Sequence, residues 1–242
     1  MKTLLSFGGK QQGANRHCGD PACRTYRNYS REVERLFESA KPYGFDRMIM
    51  YDDAWLRNSK YCTPESIRVI NEPSFGWMFK PAAIAAGMET ISDGDYLMWV
   101  DSNDVFQGDP ARLFAVADER GIYAHEHGSN ANLNRQWTRR DMFVGMACDE
   151  AKYWNARQMQ VNVMVFKKSA PITAFIAQWL AYASNFAIMI GEGKYQNFPE
   201  YDDHRHEQSI FTLLATKYGL AADWEHPYDV IAGHLPAIIK TT

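Results

Sequence analysis

Apolar positions along the chain switch repeatedly between two spacings. Lys2–Phe7 is a short apolar run that predicts a first strand, followed by a polar, Gly- and Arg-containing loop to about Arg24. From Tyr26 to Ala40 the pattern turns helical, with Val33, Leu36, Phe37 and Ala40 at i, i+3, i+4, i+7. Arg47–Tyr51 predicts a second strand, ended by Asp52-Asp53. Trp77 to Thr90 predicts a helix in which Pro81 is tolerable only in the first turn. Tyr96-Leu-Met-Trp-Val100 is continuously apolar, as suits a strand buried on both faces, and stops at Asp101-Ser-Asn-Asp104. Further on, Ile122–Ala124 and Val161–Phe166 predict strands. Ala170–Ala187 and Glu207–Tyr218 predict helices, with Gly219 placed as a C-cap.

Strands interleaved with helices predict an α/β fold with a mostly parallel central sheet, in which ligands sit outside the carboxyl ends of strands. No repeat or linker interrupts 1–242, which predicts a single domain. The 26 basic and 29 acidic residues leave a net charge of −3, without the basic excess of a general nucleic-acid binder. No apolar run approaches the ~20 residues of a membrane span, and the start is too short for a signal-peptide core. Cys18, Cys23, Cys62 and Cys148 form no C-x-x-C pair and have no histidine at zinc-finger spacing. They read as free thiols of a cytoplasmic protein, with a Cys18–Cys23 disulfide as the lesser alternative.

The acidic turn after the buried strand is the first candidate for chemistry. Asp101, Asn103 and Asp104 offer side-chain oxygens suited to Mg²⁺ or Mn²⁺, which would neutralise a diphosphate and its departing charge. The competing reading is a plain turn, since Asp and Asn also form turns by themselves. Gln160 and Asn162 are amides inside an apolar strand, on one face by alternation, where burial demands hydrogen-bond partners. Arg135, Arg139 and Arg140 form a local basic cluster that suits either a diphosphate or an ordinary solvated face.

Gly76-Trp-Met-Phe-Lys-Pro81, Asp93-Gly-Asp95, the acidic turn, Thr138-Arg-Arg-Asp141, Gln160–Lys168 and His204-Arg-His-Glu-Gln-Ser209 follow one another in order. In that order they resemble GT-A-fold nucleotide-sugar glycosyltransferases, including small bacterial and viral members and, more distantly, family 8. Two positions depart from the family pattern: the metal motif is Asp101-x-Asn103-Asp104, and Glu207 stands where Asp is usual.

The resemblance implies a sugar donor carried on a nucleotide diphosphate and a glycan or other hydroxyl acceptor. It assigns Asp101, Asn103 or Asp104, and His206 to the metal. Glu207, Gln208 and Lys80 become the catalytic candidates, with Lys80 pairing a phosphate or Asp101. Phe7, Gly8, Gly9, Asp52 and Asp53 fall at the nucleotide edge, and Gln160, Asn162 and Arg140 at the donor. The family 8 arrangement also implies retention of configuration. The stretch from Gly191 to Asp203 is the expected acceptor-side loop.

Two other functions compete. The pairs His125-x-His127 and His204-x-His206, with Asp101 and Asp104, would suit a two-metal hydrolase. A nucleotide-sugar-binding module without catalysis is the other.

Overall fold

A computed structural model of the protein describes residues 1–14, 24–72, 76–126, 132–220 and 226–233, with the backbone alone for 10–14 and 24–28. Cys18, Cys23 and His127 lie outside the described residues. In the first half, β1 (Lys2–Phe7) leads into a hairpin of β2 (Lys10–Ala14) and β3 (Arg24–Asn28), then α1 (Ser30–Ala40) and β4 (Arg47–Tyr51). Next come α2 (Asp53–Asn58), α3 (Ile67–Ile70), α4 (Phe79–Glu89), β5 (Tyr96–Val100) and β6 (Asp104–Phe106). The middle holds α5 (Ala111–Arg120), β7 (Ile122–Glu126), and the short helices α6 (Asn134–Trp137), α7 (Arg140–Gly145) and α8 (Ala151–Trp154). The chain continues through β8 (Met159–Lys167), α9 (Ala170–Ser184), α10 (Phe186–Met189), α11 (His206–Tyr218) and β9 (Ile231–Gly233).

The central sheet has the order β4-β1-β5-β8-β7. β1 pairs in parallel with β4 and β5, whereas β8 runs antiparallel to β5 and β7. Four of the five strands therefore point one way, which confirms the α/β class with a mostly parallel sheet flanked by helices. Side chains alternate between two cores. Leu5, Leu97 and Trp99 meet residues of α4, α9 and α11 on one face. Leu4, Met98 and Val100 meet Leu36 of α1 and Leu113 and Phe114 of α5 on the other. Tyr96–Val100 is thus buried from both sides, as its unbroken apolar run predicts. Among the described residues no helix is long and apolar enough to cross a membrane.

Four element boundaries differ from the expectation, each for a local reason. Residues 24–28 pair with 10–14, so the first helix starts at Ser30 and not at Tyr26, and the segment to Arg24 is partly strand. Trp77 has a left-handed backbone (φ 61°), so α4 starts at Phe79 and Pro81 still falls in the first turn. Asn185 is extended and its side chain caps α10, which ends α9 at Ser184 instead of Ala187. β8 begins at Met159, two residues before the predicted strand start.

Candidate functional site at the carboxyl edge of the sheet

The end of β5, the start of β8, the first turn of α4 and the first turn of α11 converge at one edge. β8 is antiparallel to β5, so its beginning lies beside Asp101: the Asp101 amide donates to the Asn162 carbonyl at 2.8 Å. Lys80 is the centre of the cluster and only 3% exposed. Its Nζ lies 2.9 Å from Asp101 Oδ1, 3.0 Å from the Val161 carbonyl it donates to, and 3.5 Å from Glu207 Oε1. Burial pulls its pKa down, but the two carboxylates more than offset that, and the net direction is up. Of the two partners sequence suggests for Lys80, a phosphate or Asp101, the chain itself supplies Asp101. Trp99 fixes the same carboxylate, its Nε1 donating to Asp101 Oδ1 at 2.7 Å.

Asp104 and Glu207 are both buried carboxyls pushed up to about 7. For Asp104 the cause is burial and then the Asp101 charge, and the Asn162 amide, donating to Oδ2 at 3.2 Å, only partly counters it. For Glu207 it is burial first, with Lys80 opposing and Asp101 adding. Two carboxyl groups thus share one lysine, and the third, Asp104, is held by Asn162. Of the two alternatives after Asp101, Asn103 is exposed whereas Asp104 turns inward to Asn162. Asn162 Oδ1 is buried with no hydrogen-bond partner. An orphaned amide oxygen beside a buried acid suits a hard cation, because it adds an oxygen donor and relieves the crowded negative charge.

His206 opens α11 immediately before Glu207. Its backbone is left-handed (φ 46°) and its ring stacks on Trp77, centroids 4.6 Å apart. Among the described residues, no three His, Cys, Asp or Glu side chains gather as a metal-binding group. His204, its neighbour in the H-x-H pair, is buried, with Nδ1 accepting from the Arg139 amide at 3.3 Å and Nε2 3.0 Å from the Met189 carbonyl. Both ring nitrogens are therefore engaged by backbone.

The remaining candidates divide by place. Gly8 and Gly9 follow β1, and a Cβ on Gly9 would lie 2.4 Å from the Phe7 ring and 3.2 Å from the Asp53 amide. The ends of β1 and β4 are therefore brought together without room for side chains. Asp52 is engaged as the N-cap of α2, accepting from the Trp55 amide at 2.7 Å. Arg140 is held by Asp149 at 2.7 Å and lies over the rings of Phe198 and Trp154. Arg135 reaches Glu200 and Arg139 the Ile190 carbonyl, so the three arginines do not form one basic patch.

Gln160 and Gln208 line a polar pocket of about 190 Å³ with Asn132, Trp137, Gln158 and Arg205. Gln158 anchors its floor: its amide donates to Asn134 and Thr138, and its oxygen accepts from Gln208 at 3.1 Å. Sequence reasoning misses Gln158, reads Trp137 as a core residue with stacking on a sugar as its alternative, and gives Arg205 no role of its own within the His204–Ser209 motif. Extending the 160/162 alternation back by two residues would have found Gln158.

No protein-family model matches the chain, and no curated protein matches it. Among solved structures, apo mouse xyloside xylosyltransferase 1 is similar at 11% identity and a TM-score of 0.49, over 94% of this chain and 86% of that one. WbbM, a bifunctional glycosyltransferase, is similar at 10% identity and 0.47, over 87% of this chain and 36% of its own. A glycosyltransferase involved in glycosylation of the major capsid of PBCV-1 gives 13% and 0.43, over 94% and 82%.

Proposed function

We propose that the chain is a metal-dependent glycosyltransferase of GT-A type, moving a sugar from a nucleotide-diphosphate donor to a hydroxyl acceptor. One observation carries the reading: Lys80 is buried between Asp101 and Glu207 at the carboxyl edge, beside the Asp104–Asn162 pair. An ion-pair cluster this deep is expensive unless charge at that point serves a purpose. Asp101, Asp104 and Asn162 would hold Mg²⁺ or Mn²⁺, which supplies charge neutralisation for the leaving diphosphate. Lys80 acts here as a positioning residue, aiming the Asp101 carboxylate and tying it to Glu207. Gln160 and Gln208 present amides for sugar hydroxyls, and Gly8-Gly9 at the end of β1 mark the edge where a nucleotide would lie. Retention of configuration is the stereochemistry the family 8 likeness favours.

The test is thermal unfolding of the intact chain with a panel of nucleoside diphosphates and nucleotide sugars, with and without Mn²⁺. A Mn²⁺-dependent rise with one base, lost in Asp101→Asn, is the expected result. No rise with any nucleotide would overturn the proposal.

A further inference from the structure

The pocket between β8, α6 and the start of α11 has an unusual set of hydrogen-bonding groups. Its walls are three glutamines, one asparagine, an indole and a guanidinium, and no acid lines it. The Arg205 guanidinium lies 4.4 Å over the Trp137 ring, at the solvent-exposed side of the pocket. None of the described carboxylates forms an ion pair with it. Beneath it, the Trp137 indole N–H is buried and donates to nothing. The pocket therefore offers one positive charge at its exposed rim, paired with no described carboxylate, and a spare N–H donor, with amides around them.

Position in the sheet says which part of a substrate belongs there. Along the edge, the β4 and β1 ends hold the Gly8-Gly9 turn, β5 holds the acidic turn, and β8 holds Gln160. A nucleotide at β1 and a diphosphate at β5 put the far side of the transferred sugar, and the acceptor, at β8. The volume, the liquid share of about six waters, suits one sugar ring.

Resting on the transferase reading, we propose that this pocket receives an acceptor sugar bearing a carboxylate, a uronic acid. The planar guanidinium would pair with the carboxylate through two parallel N–H bonds, and the amides would read the ring hydroxyls. A neutral hexose fills the same space but leaves the Arg205 guanidinium to solvent.

The experiment is ligand-observed NMR titration of the intact chain with methyl glucuronide, its uronamide and methyl glucoside, alongside the nucleotide panel. Methyl glucuronide is expected to bind about tenfold or more tighter than either neutral analogue, the size of one charged hydrogen bond. Arg205→Gln should abolish that preference while Arg205→Lys keeps part of it, circular dichroism confirming that both fold. Equal affinity for all three sugars, no binding of any, or an undiminished preference in Arg205→Gln would each overturn the proposal. A uronate preference without any nucleotide binding would support the pocket while removing the transferase reading. Nucleotide binding without a uronate preference would do the reverse.

Discussion

Burial of Lys80 draws on two acids at once, and that coupling has measurable consequences. Removing the ammonium in Lys80→Met leaves Asp101 and Glu207 facing each other in a buried place, an expected loss of about 3–5 kcal/mol by chemical denaturation. Adding Glu207→Leu should return part of the loss, a non-additivity that separates charge from packing. His204 gives a second residue-level outcome. Burial, then the neighbouring His206 and Arg139, hold its pKa well below the ordinary histidine value. The unfolded chain takes up a proton near pH ~6.5 that the folded chain refuses. Stability from this residue is therefore complete above that pH and is lost as pH falls. The gap in thermal midpoint between wild type and His204→Gln should shrink from pH 7 to pH 5. Lys80, Asp101 and Glu207 were all legible in sequence because each sits at a predictable strand end or helix start. The choice of Asp104 over Asn103 was not, since which side chain turns inward depends on the backbone of the turn.

At the scale of elements, strand and helix identity followed apolar spacing wherever one face meets a core. At Trp77 backbone conformation overrides spacing: Trp77 and His206 both adopt left-handed φ, and each stands at the entry of a helix that delivers a candidate site residue. Ring stacking between them, worth about 0.5–1.5 kcal/mol, offsets only part of a strain of about 1–3 kcal/mol each, which no apolar period encodes. The β6–β9 pair shows the same dependence on long-range contact. Gly108 follows β6 so closely that a Cβ would lie 2.3 Å from the Asp229 carbonyl oxygen, backbone that has no rotamer to escape with. Gly108→Ala is expected to cost about 1–3 kcal/mol and to speed proteolysis between 226 and 233. β6 begins at Asp104, which pairs with Gly233, so the same variant should also weaken Mn²⁺-dependent stabilisation.

For the whole molecule, class and sheet were legible because interleaved periods admit few alternatives, whereas the polar pocket was not. Its six lining residues come from 132 to 208, and only Arg205 and Gln208 share a motif. A ligand that binds only the folded state at a hundred times its Kd is expected to add about 2.7 kcal/mol, so calorimetry with the correct nucleotide and Mn²⁺ should show a clear upward shift. The four-way convergence on Lys80 also bears on how the chain is made. Asp101 is 21 residues away, but the Val161 carbonyl is 81 residues away and Glu207 lies further still. During synthesis the ammonium therefore waits for its last partner while the chain from 101 to 207 is added, roughly 5–20 seconds at ordinary elongation rates. Through that interval α4 cannot bury its first turn without stranding a charge. The sheet's central strands are thus made well before the edge that gives them a use, and α11 is the piece whose arrival closes the site.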